Sequence, residues 1–109
     1  MKRVRVLLAD DHEFVRTGLR AILESYAEYE VIGEAINGRE AVERTSKLKP
    51  DMVILDIGMK GLNGLEATRQ ITKKTPQTQV LILTMYDSEG VAAEALEAGA
   101  RGLYLGQRC

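Results

Sequence analysis

The feature that most constrains the fold is a regular alternation of short apolar runs with amphipathic stretches. Five runs rich in Val, Ile and Leu recur at intervals of about 20 to 30 residues, at Val4–Ala9, Val31–Ala35, Met52–Leu55, Val80–Leu83 and Gly102–Leu105. Runs of this length and composition are typical of buried strands. Strands that alternate with helical patterns predict an α/β protein with a parallel sheet and right-handed crossovers.

The stretches between the runs predict four helices of unequal apolar character. The first has apolar residues at helical spacing at Phe14, Val15, Leu19, Ile22, Leu23 and Tyr26. The second follows Asn37-Gly38 with a thin stripe, and Gly64 leads into the third. In the fourth we expect an inward face made by Val91, Ala92, Ala95, Leu96 and Ala98, with Gly99 ending the helix.

The pattern ends after the fifth run, where only residues 106–109 remain. We therefore expect the last helix to be missing from this chain and one side of the sheet to be uncovered. A helix there would cover about 300 Å² of apolar surface and contribute about 7 kcal/mol at about 25 cal/mol per Å². Either the sequence is cut short or another chain covers this face, and we expect a homodimer or other self-association, or else marginal stability.

Composition predicts one soluble domain over residues 1–109. The length suits a single core, the net charge of −1 gives no general attraction to nucleic acid, and 45% of residues are apolar. Apolar runs of about six residues are too short to cross a membrane. The single cysteine, Cys109, has no partner within the chain, which favours a reducing cytoplasm.

Acidic residues stand where two of the runs end. Asp10 and Asp11 follow the first run, and Asp56 follows the third. Ligands of open parallel sheets bind outside the carboxyl ends of the strands. Carboxylates gathered at that edge repel one another unless a cation lies between them, and oxygen ligands suit Mg²⁺ or Ca²⁺. Asp11 or His12 can also cap the first helix, and we expect His12 to be an exposed residue of the first helical turn and not a metal ligand or phosphodonor.

The ordered motifs resemble those of a response-regulator receiver domain of the NarL-type (LuxR-type) transcriptional regulators. The resemblance covers essentially the whole chain. The stretches that carry it are Leu-Leu-Ala-Asp-Asp-His at 7–12, Gly-Leu-Arg-Ala-Ile-Leu-Glu at 18–24, Gly-Glu-Ala-Ile-Asn-Gly-Arg-Glu-Ala-Val at 33–42, Pro-Asp-Met-Val-Ile-Leu-Asp-Ile at 50–57, Gly-Leu-Asn-Gly-Leu-Glu-Ala-Thr at 61–68 and Val-Leu-Ile-Leu-Thr-Met-Tyr-Asp at 80–87. It implies a flavodoxin-like, doubly wound five-stranded sheet with strand order 2-1-3-4-5.

The resemblance also implies roles for individual residues. Asp56 would accept a phosphoryl group from a sensor histidine kinase. Asp11 would bind Mg²⁺ directly and Asp10 mainly through water, with the backbone carbonyl of Gly58 as a further ligand. Thr84 would donate its hydroxyl to a phosphoryl oxygen, and the added charge would reorder the loop that follows.

Two positions depart from the family pattern. Gly106 stands where these receivers usually have a lysine that pairs with the phosphoacceptor. Lys60 stands four residues after Asp56, where proline is usual. Lys60 is either a solvated loop residue or a substitute for the missing cation.

The resemblance implies a phosphorylation switch that controls transcription through an output domain not present in these residues. It implies no enzyme activity beyond self-catalysed phosphorylation and dephosphorylation, and no direct contact with DNA. The alternative is a pseudo-receiver, an interaction module that does not cycle phosphate. A haloacid-dehalogenase-like phosphatase would need an Asp-x-Asp pattern after the first strand, and Asp10-Asp11 lacks that spacing.

Overall fold

The computed structural model describes residues 2–59, 62–84 and 89–105, with side-chain surroundings described for all of these except 84, 89–92 and 103–105. Strands and helices alternate along the chain, as the sequence pattern predicts. Their bounds are β1 Val4–Ala9, α1 Glu13–Glu24, β2 Tyr29–Ala35, α2 Gly38–Leu48, β3 Met52–Asp56, α3 Gly64–Lys74, β4 Gln79–Thr84, α4 Glu89–Ala98 and β5 Gly102–Leu105.

All neighbouring strands are parallel, and their order is β2-β1-β3-β4-β5. This confirms the predicted doubly wound α/β sheet. The chain moves outward from β1 to β2, crosses back to β3 and then continues to β4 and β5. The order therefore reverses beside β1, and the C-terminal ends of β1 and β3 lie next to each other at that reversal.

The two faces of the sheet carry separate apolar clusters. The larger lies between the sheet and α2, α3 and α4, and it includes Leu7, Val53, Leu55, Ile71, Val80, Ile82 and Ala95. The smaller lies on the α1 side and consists of Val6, Leu8, Val31 and Ile54, with Leu19 and Leu23 of α1 packed against it. Alternation along each strand sends successive side chains to opposite faces, which explains the division.

Local capping sets the ends of the helices. Asn37 and Asn63 are the N-caps of α2 and α3, and each side chain accepts a hydrogen bond from the backbone N–H three residues later. Gly99 ends α4 with φ +112°, which confirms the predicted stop.

The apolar stripe of α1 is only partly buried. Leu19 and Leu23 reach the smaller cluster, whereas Phe14 and Ile22 are 90% and 60% exposed. Tyr26, predicted on the same stripe, lies beyond the end of α1 and packs edge-to-face on Tyr29, with 6.4 Å between the ring centroids. The stripe covers about half of the helix circumference, and α1 lies chiefly against β1 and β2. The other half of the stripe therefore has no packing surface among the described residues.

The expected inward face of α4 is wrong at one position. Ala95 and Ala98 are buried, but Leu96 is 60% exposed because it lies about 100° round the helix from Ala95. Val91 and Ala92 lie outside the described side chains. In the part of the chain that is described, no helix follows β5, and no helix is long and apolar enough to span a bilayer.

Candidate metal site

The register of the sheet brings the predicted acidic residues together. Ala9 of β1 pairs with Leu55 of β3, so Asp10 and Asp56 follow neighbouring positions at the same C-terminal edge. The backbone N–H of Asp10 donates to the carbonyl of Ala35 (3.0 Å), which continues the β1–β2 ladder into this loop. The strand pairing therefore fixes the backbone from which these carboxylates project.

Asp10, Asp11, His12 and Asp56 form one cluster at this edge. Each offers a ligand atom, and the four atoms all lie within 4.8 Å of one another. Asp10 is buried, Asp11 and Asp56 are half-buried, and the His12 side chain is 66% exposed. The cluster opens to solvent through His12 and Asp56.

His12 is turned towards the carboxylates. Its backbone N–H donates to Asp10 Oδ1 (2.8 Å), and its Nδ1 lies 2.9 Å from Asp10 Oδ1 and 3.0 Å from Asp11 Oδ1. The hydrogen bond to Asp10 and the nearby charges of Asp11 and Asp10 raise the pKa of His12 above 6.5. His12 Nδ1 thus lies within hydrogen-bonding distance of two carboxylates.

Asp56 lies in an environment that opposes its ionisation. Burial raises the pKa of its carboxyl above 3.8, and the charges of Asp10 and Asp11 raise it further. The backbone N–H of Gly58 donates to Asp56 Oδ1 (3.2 Å) and partly offsets this effect. A bound cation would relieve the remaining repulsion.

Close packing of α3 supports the loop that carries Asp56. The N–H of Gly64 donates to the carbonyl of Ile57 (3.2 Å), and a Cβ on Gly64 would lie 2.6 Å from the backbone oxygen of Asp56. Only glycine allows this approach, so the start of α3 packs directly against the backbone of the loop.

The donor set fits a hard divalent cation. Asp11 Oδ1 is buried and accepts no hydrogen bond from the described residues, although His12 Nδ1 lies 3.0 Å from it. The ion pairs found in residues 2–59, 62–84 and 89–105 bring no Lys or Arg side chain to Asp10, Asp11 or Asp56. A buried carboxylate oxygen without a partner is costly, and a metal ion would satisfy it.

Hydrogen bonds from Arg16 connect the loop after β1 to β2. Its Nη1 donates to the backbone carbonyl of Asp10 (2.7 Å), and its Nε donates to Glu34 Oε1 (2.7 Å). Arg20 donates to the other oxygen of Glu34 (2.8 Å). The hydrogen bond from Arg16 holds the pKa of Glu34 below 4.5 despite partial burial, with a smaller effect from Arg20.

The other predicted site residues are placed less completely. Thr84 is the last residue of β4 and pairs with Leu105, but its side chain lies outside the described set. Gly58 contributes the N–H bond to Asp56, and its predicted role as a carbonyl ligand stays a prediction. Lys60 and Gly106 both lie outside the described residues.

Sequence reasoning missed the roles of three residues. His12 is exposed, as expected, but its ring contacts both acidic neighbours instead of only solvent. Its position directly after two aspartates was the available signal. Arg16 and Glu34 carried a weaker signal, since Arg16 lies one helical turn after His12 and Glu34 lies near the end of β2.

Comparison with known proteins agrees with this geometry. A family model described as the response regulator receiver domain matches residues 6–105. The transcriptional regulatory protein LnrK of Bacillus subtilis (strain 168) is 42% identical over 102 residues, which cover 94% of this chain and 46% of that protein. The chain thus spans about half the length of this curated relative.

Two solved structures are similar over nearly the whole chain. The signal receiver domain of NarL from Mycobacterium tuberculosis has a TM-score of 0.94 at 30% identity, covering 100% of this chain and 88% of that one. A LuxR-family two-component response regulator from Aurantimonas sp. SI85-9A1 has a TM-score of 0.89 at 37% identity, covering 94% and 73%.

Proposed function

Because the chain belongs to the response regulator receiver domain family, with LuxR- and NarL-type relatives, we propose that it is a phosphoacceptor switch in two-component signalling. The observation that carries the proposal is the meeting of Asp56 with Asp10 and Asp11 at one edge of the sheet. A conserved fold alone would not require these carboxylates to share a site.

Asp56 is the proposed acceptor. Its carboxylate oxygen forms a bond to phosphorus while the phosphorus–nitrogen bond of a phosphohistidine on the sensor kinase breaks, and the released imidazole takes up a proton. Asp56 is half-buried at the open side of the cluster, so a kinase can approach it. The domain is then the acceptor, with self-catalysed phosphorylation and dephosphorylation as its only chemistry.

Mg²⁺ is the proposed cofactor, held by Asp10, Asp11, Asp56 and the carbonyl of Gly58. When bound, the ion offsets the charge of the incoming phosphoryl group. The protein supplies the unpaired Asp11 oxygen and a backbone fixed by β1, Arg16 and α3. Thr84 is the proposed hydroxyl donor to the phosphoryl oxygen, since β4 ends beside β3 at the same edge.

The switch would act through an output domain that controls transcription. The similarity to a transcriptional regulatory protein supports a transcriptional role, and a cytoplasmic location is proposed on the same ground. We propose no direct DNA contact by these residues. A second copy of the chain is the proposed partner on the α1 side of the sheet, where Met52, Leu81 and Leu83 are only partly buried.

The specific observation that favours a second candidate is the sequence itself at Gly106. Without the usual lysine, the domain could keep the fold and act as a pseudo-receiver that binds partners independently of phosphate. A charge-assisted hydrogen bond contributes about 1.5–3 kcal/mol, so its loss would weaken phosphorylation or switching about tenfold or more unless another cation replaces it.

Acetyl phosphate with Mg²⁺ separates the two candidates. The switch predicts a mass increase of one phosphoryl group that is absent in Asp56→Asn, together with amide shifts in the loop after β4. Asp51→Asn is the matched control, because Asp51 also lies on the β3 side but accepts from the backbone of Arg5 at the opposite end of the strand. Intact Mg²⁺ binding without phosphorylation or shifts with beryllofluoride would establish the pseudo-receiver.

Lys60→Ala tests the substitute cation. If Lys60 replaces the missing lysine, the rate of phosphorylation by acetyl phosphate falls about tenfold or more, the effect of losing one charge-assisted hydrogen bond. Lys47→Ala on α2 is the control for loss of a positive charge. An unchanged rate in Lys60→Ala would contradict this role.

A further inference from the structure

The position of His12 is unusual for a helix N-cap. It precedes α1 with extended backbone angles (φ −104°, ψ 110°), yet its side chain accepts no hydrogen bond from the first turn of the helix. The imidazole lies instead against the carboxylates of Asp10 and Asp11. The His12 side chain therefore contacts the acidic edge of the sheet and does not cap the helix.

The spacing of the three groups matches that of ligands around one metal ion. His12 Nδ1 is 2.9 Å from Asp10 Oδ1 and 3.0 Å from Asp11 Oδ1. Adjacent ligands of an octahedral ion with bonds of about 2.1 Å lie about 3.0 Å apart. Asp11 Oδ1 is also buried and accepts no hydrogen bond from the described residues, so a cation at this point would satisfy it.

We propose that His12 Nδ1 is a direct ligand of the bound metal and that it gives the site a preference for divalent transition-metal ions over Mg²⁺. The proposal rests on the metal site of the proposed function and specifies which ions that site takes. Carboxylates and water suit Mg²⁺ and Mn²⁺, whereas imidazole suits Zn²⁺, Co²⁺ and Ni²⁺. A nitrogen ligand therefore adds more to the binding of Co²⁺ than to that of Mg²⁺.

The competing role for His12 is that of a counter-ion. In that case the imidazole pairs with the carboxylates only while the metal is absent, and the ion must displace it. Removing the ring would then strengthen the binding of every divalent ion. The two roles differ in the sign of the effect on Co²⁺.

The experiment is calorimetric titration of the full 109-residue chain with Mg²⁺ and, separately, with Co²⁺, at one fixed pH above neutrality. His12→Ala is expected to weaken Co²⁺ binding about tenfold or more and to change Mg²⁺ binding much less. Glu13→Ala is the matched control, since Glu13 is the next exposed residue and is not part of the cluster. Thermal unfolding in EDTA checks that each variant folds.

Several results would overturn the proposal. Equal weakening of both ions would show a general electrostatic or structural effect, and tighter binding of both would show the counter-ion role. Asp11→Asn tests whether the metal site itself exists. If this variant leaves both the Mg²⁺ and the Co²⁺ affinity unchanged, the metal site of the proposed function fails as well. If Asp11→Asn instead reduces both affinities while His12→Ala has no effect specific to Co²⁺, that result rejects the ligand role of His12 and leaves the metal site of the proposed function standing.

A spectroscopic measurement gives an independent readout. With Co²⁺ bound, the carbon-bound Cδ2–H of a ligating imidazole, which does not exchange with water, is strongly shifted by the paramagnetic ion and falls outside the normal proton NMR range. His12 is the single histidine of the chain, so the signal is assigned by its absence in His12→Ala. A wild-type complex without such a signal would contradict direct ligation.

Discussion

The carboxylates at the acidic edge lie close enough together to destabilise the metal-free protein. Asp10, Asp11 and Asp56 share a small volume, and burial together with the neighbouring charges raises the pKa of Asp56. Arg16 and Glu34 offset part of this cost by fixing the backbone of Asp10. The site thus stores electrostatic repulsion that a cation would release.

Asp56→Asn is expected to stabilise the metal-free protein. A carboxyl whose folded pKa is raised costs folding free energy above that pKa and none below its unfolded value of about 3.8. Denaturant unfolding in EDTA near neutral pH should show a gain on the order of 1 kcal/mol, reduced by solvent screening, which vanishes as the pH falls below about 3.8. A destabilised variant would contradict this account.

Glu34→Gln is expected to show the opposite pH dependence. The pKa of Glu34 is lowered by Arg16, so its contribution to stability is present above its unfolded value of about 4.5 and is lost as pH falls through the folded value. The variant should lose about 1 kcal/mol near neutrality and match the wild type in strong acid. A difference that does not change with pH would show that packing, not charge, is responsible.

Arg16→Met is expected to weaken Mg²⁺ binding about tenfold, because groups that orient metal ligands typically have effects of this size. Arg20→Met is the control: Arg20 also pairs with Glu34 but makes no hydrogen bond to Asp10. Titration with Mg²⁺ should separate the two variants. Equal losses would assign the effect to Glu34 and not to the Asp10 carbonyl.

Among the secondary-structure elements, α2 and α3 carry buried threonines in contrasting states. Both side chains are fully buried, at Thr45 of α2 and Thr68 of α3. Thr68 Oγ1 donates to the carbonyl of Gly64 (2.7 Å), whereas Thr45 Oγ1 has no partner among the described residues. The same residue type therefore has opposite energetic consequences in the two helices.

Replacing each threonine with valine tests this contrast at nearly constant shape. Thr45→Val should raise the free energy of unfolding by about 1 kcal/mol because it removes a buried polar group without a partner. Thr68→Val should lower it by about 0.5–1.5 kcal/mol through loss of a buried hydrogen bond. Denaturation curves with equal m-values check both, and changes of the same sign would refute the assignment.

For the whole molecule, the two faces of the sheet differ in how well they are covered. Three helices pack on one face, and α1 alone packs on the other in the part of the chain that is described. Met52, Leu81 and Leu83 on that second face are only partly buried. Exposed apolar surface of this kind favours association.

Sedimentation of the 109-residue chain should therefore show concentration-dependent self-association. Leu83→Thr is expected to shift the equilibrium towards monomer, because it removes apolar surface from this face and places a β-branched residue, which favours strands, in β4. Phe14→Ser is the control, since Phe14 is 90% exposed and lies outside the apolar cluster of this face. Association that depends on Phe14 and not on Leu83 would place the contact on α1.

Sequence patterns are sufficient to predict the order of the elements, the parallel sheet and the positions of the acidic residues at strand ends. These follow from local properties: apolar runs, helical spacing, and glycine or asparagine at helix ends. The family motifs then assigned roles to Asp10, Asp11 and Asp56, and the tertiary structure brings the three into one cluster.

Only the tertiary structure decided which surfaces are buried and which side chains meet across elements. The burial of Leu19 but not Ile22, and the exposure of Leu96, depend on what packs against each helix. The position of Arg16 between the Asp10 carbonyl and Glu34 depends on the β1–β2 register. Spacing within a helix or strand cannot encode such contacts, because they join residues through the pairing of separate elements.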